Sequence, residues 1–102
     1  MFFMMTDTYP NNKSKEVVEA FRKSLADPLP SFLKRVHVLT ACGVGEPGIR
    51  NYTIYEADKG KEYDGLAELQ RRMASYFFDI EGYKYQIEPV FTAEEAIALL
   101  GL

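Results

Sequence analysis

The chain opens on an apolar run, Met1-Phe2-Phe3-Met4-Met5, that stops at Thr6-Asp7. A run this short, followed by the turn-like cluster Tyr9-Pro10-Asn11-Asn12, predicts a buried first strand over residues 1–7. The spacing then changes. Val17, Val18, Phe21 and Leu25 recur at helical intervals while Lys13, Lys15, Glu19, Arg22 and Lys23 take other positions, which predicts an amphipathic helix over 13–26 with those four apolar residues facing the core. Asp27-Pro28 ends it, because proline disfavours helical geometry in the residue before it. Val36, Val38, Leu39 and Thr40 favour a strand over 33–42, and Tyr52, Thr53, Ile54 and Tyr55 favour another over 49–57. The glycine-rich residues 43–48 join the two as a hairpin. Leu66, Leu69, Met73 and Phe77 define one face of a second helix over 62–78, and Tyr83, Tyr85 and Ile87 alternate with Lys84, Gln86 and Glu88 in a strand over 83–90. Thr92-Ala93-Glu94-Glu95 has capping-box spacing ahead of a short helix closed by Gly101.

The order β-α-β-β-α-β plus a terminal helix predicts an α+β, ferredoxin-like single domain over 1–102. It would hold one four-stranded antiparallel sheet with two helices on one face. In that arrangement the second and fourth strands lie at opposite edges. A sheet with one solvated face alternates cleanly between apolar and polar residues. These strands carry apolar residues at both parities: Val36 and Val38 on one side of the second strand, Leu39 and Ala41 on the other. The expectation is a homodimer in which a second copy covers the free face.

Size supports that expectation. At 11.7 kDa the folded chain should expose roughly 5,900 Å² against about 17,000 Å² unfolded, so a partner subunit would add burial. Hydrophobic residues make up 47% and charged residues 26%, close to the globular average, which argues against disorder. Seven Tyr and seven Phe without Trp are the unusual entry, and the sheet face lacking helices is their expected place, as interface and cavity wall. Net charge is −3, with Lys and Arg dispersed among acids, so no nucleic-acid partner is expected. The single Cys42 can form neither an internal disulfide nor a metal quartet, so the default setting is cytoplasmic. Its bland role is that of a small buried hydrophobe. The apolar opening is too short for a signal sequence or a membrane span, and no membrane partner is expected.

The strand over 1–7, the helix ending near Ala26, the hairpin ending Ile54-Tyr55-Glu56-Ala57-Asp58 and the closing Tyr85-Gln86-Ile87-Glu88-Pro89-Val90-Phe91-Thr92-Ala93-Glu94-Glu95-Ala96 resemble the dimeric α/β-barrel superfamily. They are most similar to its small uncharacterised members. The resemblance implies two protomers with sheets laid face to face, and a ligand cavity between sheet and sheet or between sheet and helices. Such relatives include cofactor-independent monooxygenases, muconolactone isomerase, chlorite dismutase and haem-degrading enzymes, so fold alone does not settle function.

Candidate chemistry is sparse. Gly43-Val44-Gly45-Glu46-Pro47-Gly48 matches the dinucleotide-binding glycine pattern, but the mechanism needs a helix to follow it, and Ile49 begins a predicted strand. A hairpin loop is the better reading, and no cofactor is expected. His37, the only histidine, would act as an acid or base or as a metal ligand if it faced a cavity, or serve as an ordinary strand residue or dimer contact. Simple alternation puts it on a face with Arg35, Leu39 and Ala41, and puts Glu88 on the polar face of the last strand. His37 of one subunit and Glu88 of the other would then line a shared cavity, with Tyr52 and Glu56 nearby. Tyr85, with its apolar ring and polar tip, joins them as the fifth ligand-binding candidate. Two functions stay open: a dimer that binds a small metabolite, aromatic or otherwise, and a cofactor-independent monooxygenase or isomerase with His37 or Glu56 as base.

Overall fold

The computed structural model describes residues 1–42 and 48–101. Residues 43–47, which hold most of the glycine-rich loop, lie outside the described residues, as does Leu102. The elements run β1 (Phe2–Tyr9), a 3₁₀ turn (Asn11–Lys13), α1 (Ser14–Leu25), β2 (Leu33–Ala41), β3 (Ile49–Ala57), α2 (Glu62–Tyr76), β4 (Lys84–Val90) and α3 (Ala93–Leu99). β1 continues past Asp7 because Thr8 and Tyr9 pair with Arg50 and Ile49. All neighbours are antiparallel in the order β2-β3-β1-β4, so β1 and β3 are central and β2 and β4 are the edges.

Alternation decides what is buried. On β1, Phe3, Met5, Asp7 and Tyr9 are buried while Phe2, Met4, Thr6 and Thr8 are not, and on β3 Thr53, Tyr55 and Ala57 are buried. That buried parity forms one cluster with Val17 and Ala20 of α1 and Leu69 and Met73 of α2, so both helices cover the same face. Gly65 lets α2 approach closely: a Cβ there would sit 3.1 Å from Ala57 Cβ. The whole is a slab with a shortest extent of 17 Å, one sheet and one helix layer.

Two expectations require correction. The buried row of α1 is Val17, Ala20 and Ser24, whereas Val18, Phe21 and Leu25 are exposed. Ala20 and Ser24 lie toward α2, which leaves Val18 and Phe21 beside Val38 and Thr40 of the edge strand β2. The second correction concerns β2. A bulge between Arg35 and His37 makes Val36 an extra residue, so Arg35 pairs with Tyr55 while His37 pairs with Ile54. Arg35 and His37 therefore lie on opposite faces, and Val38 pairs with the buried-face residue Thr53.

One polar network fastens the two helices together. Arg72, 4% exposed, donates to the Ser24 carbonyl at 2.9 Å, the Pro28 carbonyl at 2.7 Å and Glu68 Oε1 at 3.2 Å. It thereby ties α2 to the last turn of α1 at Ser24, whose carbonyl also accepts the Asp27 N–H at 3.2 Å, and to the segment beyond that helix at Pro28. Arg71 bridges Glu68 and Asp27, and the Tyr76 hydroxyl donates to Asp27 Oδ2 at 2.9 Å. The Arg71 hydrogen bond, then that of Tyr76, holds the Asp27 carboxyl below its ordinary range, and Arg71 does the same for Glu68. A carboxyl lowered by folding contributes stability that is present above its ordinary value and lost as pH falls through the lowered one.

At the far end of β4, Thr92 and Glu95 form both bonds of the capping box, and α3 leaves the body with none of its residues buried. No helix among the described residues is long and apolar enough to cross a membrane.

Arg72→Met is expected to cost about 2–4 kcal/mol in urea unfolding, because it strips a donor from the Ser24 and Pro28 carbonyls at once and leaves the half-buried Glu68 with Arg71 alone. Arg71→Met, at a half-exposed position, should move the midpoint far less. Equal losses for the two would contradict this division of labour.

Candidate functional site

The register places side chains on the sheet in rows. On the face without helices the rows, from β2 to β4, are Lys34-Glu56-Phe2-Val90, His37-Ile54-Met4-Glu88, Leu39-Tyr52-Thr6-Gln86 and Ala41-Arg50-Thr8-Lys84. Phe2, Met4, Ile54, Tyr52 and Leu39 form an apolar patch that crosses this face obliquely, bordered by charged and polar residues of all four strands. Four of the five sequence-predicted site residues, His37, Tyr52, Glu56 and Glu88, share this face. Tyr52 and Glu56 are diagonal neighbours of His37 around Ile54, about 7–8 Å away. Glu88 lies in the same row but three strand spacings off, about 14 Å, so within one chain it cannot meet His37.

Tyr85, the fifth candidate, points the other way. Its hydroxyl donates to Gln70 Oε1 on α2 at 2.8 Å, so it belongs to the helix side. Most aromatic residues do likewise, contrary to the expectation that they line the open face. Phe3, Tyr9, Tyr55 and Phe77 are in the core, and Tyr83 stacks on Phe77 with ring centroids 4.9 Å apart. Phe2 and Tyr52 are the aromatic residues in the open-face rows. Tyr85 and the core tyrosines thus lie across the sheet from His37 and Glu56, while Tyr52 shares their face. Cys42 is exposed and does not serve as a buried hydrophobe. Gly48, the described end of the glycine-rich loop, has φ +121° and no room for a side chain, since a Cβ would lie 2.9 Å from the Tyr9 carbonyl oxygen. It leads directly into β3, so no helix follows the glycine pattern.

The helix side carries a groove that alternation alone does not locate. α1 and the edge strand β2 diverge over a cavity of about 180 Å³, walled by Val18, Phe21, Val38 and Tyr9 and floored by Thr40, Asn51 and Thr53. Its floor belongs to a polar row across the sheet, Thr40-Asn51-Asp7-Tyr85. Thr40 Oγ1 donates to Asn51 Oδ1 at 2.7 Å, and Asn51 Nδ2 donates to Asp7 Oδ1 at 2.8 Å. The Tyr83 hydroxyl lies against the same carboxyl. Asp7 is 7% exposed, and burial pushes its carboxyl above the usual range despite help from Asn51 and Tyr83. Tyr83 is raised in turn by burial and by the Asp7 charge. The result is a rigid amide and hydroxyl floor backed by a carboxyl, between apolar walls. Among the described residues no three His, Cys, Asp or Glu side chains gather as a metal site.

Sequence reasoning missed Asp7, Asn51 and Thr40. A signal was present: Asp7 and Asn51 are polar interruptions at positions whose neighbours two residues away, Met5 and Thr53, are buried.

No protein-family model matches the chain, and no curated protein sequence matches it. Among solved structures, a DUF3240 family protein from Shewanella baltica OS155 is similar over 89% of this chain and 91% of its own, with 15% identity and a TM-score of 0.35.

Asp7 makes a pH prediction. Its folded-state value is raised, so the stability it contributes is present below the ordinary carboxylate value and lost as pH rises through the raised one. Asp7→Asn keeps an acceptor for Asn51 and removes that loss. Its thermal midpoint is expected to equal or exceed that of the unsubstituted chain at pH 7, with the advantage shrinking toward pH 4. Asp7→Leu strands the Asn51 amide and the Tyr83 hydroxyl and should cost about 1–3 kcal/mol. An Asp7→Asn variant weakened more at pH 7 than at pH 4 would contradict the assignment.

Proposed function

We propose that the protein binds a small, largely apolar molecule in the groove between α1 and β2, as one half of a dimer whose copies cover each other's open sheet faces. The element order, with β2 and β4 at the edges and both helices on one side, supports a ferredoxin-like split βαβ reading, whose paired form is the dimeric α/β barrel. The observation that carries the binding reading is the groove: apolar walls with a few fixed polar groups at the floor is the common composition of a small-molecule site. In this reading the ligand sits under α1 rather than between two sheets.

Surface area supports the dimer. The single chain exposes 6838 Å², about 900 Å² more than scaling gives for its mass. A standard interface removes about 800 Å² from each partner. With the two-fold axis parallel to the strands between β1 and β3, each row faces itself, and His37 of one copy meets Glu88 of the other across an apolar centre of Ile54 and Met4.

A cofactor-independent monooxygenase or isomerase is the second reading, and Asp7 is the observation in its favour. Its carboxyl stands one hydrogen bond behind the groove floor. The Asn51 amide separates it from any occupant, however, and a proton transfer would require that amide to move aside. Binding requires no such movement.

Small aromatic acids and quinones in a thermal-shift screen are expected to raise the midpoint, since a ligand selective for the native state stabilises it. Val38→Trp, which fills the groove from an exposed edge position, should abolish the shifts, and hits that survive it would place the site elsewhere. Sedimentation should show a dimer at micromolar concentration and a monomer for Ile54→Asp. A wild-type monomer would defeat the dimer reading.

A further inference from the structure

Behind the groove lies a second, smaller cavity of about 40 Å³ whose lining includes Arg35, Tyr55, Thr53 and Phe21. Arg35 enters it because it shares the parity of the buried Leu33 two residues earlier and pairs with Tyr55, ahead of the bulge at Val36. The guanidinium carbon lies 5.8 Å from the Phe21 ring centroid and 5.5 Å from that of Tyr55, so the cation is held against two aromatic rings.

Arg22, Arg50, Arg71 and Arg72 each donate to a protein partner, with Arg22 bonded to Glu19, Arg50 to Tyr52, and the other two to the network already described. Arg35 Nε is buried and has no acceptor among the described residues. Asp7, the buried carboxyl on this face, is two rows away and already engaged by Asn51. A guanidinium N–H sealed from water without an acceptor is costly, and natural structures seldom leave one so.

We propose that Arg35 is the anchor for a carboxylate, and that the molecule bound in the groove is a small carboxylic acid with an aromatic or other apolar body. This rests on the groove-binding reading and names its ligand class. Phe21 and Thr53 border both cavities, and Phe21 is 37% exposed, so turning that one ring outward joins the cation to the groove. The planar guanidinium offers two parallel donors that match the two oxygens of a carboxylate. The Thr53 hydroxyl lines the same space. The walls that would receive the rest of the ligand are Tyr9, Val18, Phe21 and Val38.

Benzoate, benzamide and inorganic phosphate distinguish the terms of the proposal when each is titrated into the full chain by calorimetry and thermal shift. Benzoate is expected to bind, benzamide and phosphate to bind at least tenfold more weakly, and Arg35→Gln to weaken benzoate by roughly tenfold or more. Arg35→Lys, which keeps the charge and loses the fork, should fall between. Circular dichroism checks that each variant folds. Should Arg35→Gln not fold, the benzoate-to-benzamide ratio on the unsubstituted chain decides the matter alone. Equal binding of benzoate and benzamide, both abolished by Val38→Trp, would overturn the anion anchor and leave the groove reading standing. Phosphate binding as tightly as benzoate would overturn the carboxylate class. Absence of binding by all three at millimolar concentration would overturn both this inference and the reading beneath it.

Discussion

Because successive side chains of a strand leave on opposite sides of the sheet, burying one parity under α1 and α2 leaves the other parity without cover in a single chain. The rest of the molecule follows from that constraint. Phe3, Met5 and Tyr9 join the helices in the core, while Phe2, Met4 and Ile54 form an apolar patch on a face that no helix among the described residues covers. The 17 Å slab and the surface in excess of scaling express the same fact at the scale of the whole protein. α3 does not relieve it, since it leaves the body at the end of β4 with no buried residue.

Within the covered side, burial is uneven. Arg72 fixes the end of α1 to α2, and Ala20 and Ser24 lie toward that helix, so the bulkier Val18 and Phe21 are left along the β2 edge. Arg35 faces the helix side with Leu33, and the bulge at Val36 then switches the residues after it, so that Val38 turns toward α1 and His37 turns away. A groove with an aromatic-held cation behind it is the outcome of these two local events together. The polar row from Thr40 to Asp7 keeps the floor of that groove ordered at the expense of a strained carboxyl ionisation.

Much of the architecture was legible in the sequence. The strand over 49–57 ends where the periodicity places it, the capping box at Thr92 forms both its bonds, and the free-face grouping of Tyr52, Ile54 and Glu56 follows from simple alternation. What was illegible has two physical causes. A bulge inserts one residue into the count, so every inference about parity on β2 fails at Val36, which is why Arg35 was placed beside His37. Helical periodicity, likewise, shows that Val17, Val18, Phe21 and Leu25 share a broad face but not which half of it meets the core, because small residues such as Ala20 and Ser24 win the closest contact. Tyr85 went astray for a simpler reason: an amphipathic residue suits a cavity or a helix contact equally well, and Gln70 decides for the contact.

Adjacent methionines test the central claim most directly. Met4 belongs to the open face and Met5, 5% exposed, to the helix-covered core, so their rates of oxidation to the sulfoxide report the two faces separately. Followed by mass spectrometry across a dilution series, Met5 should stay protected throughout, while Met4 should be protected at high concentration and become reactive as the chain is diluted. Met4 oxidation at one rate at every concentration, or Met5 oxidising as readily as Met4, would contradict the account.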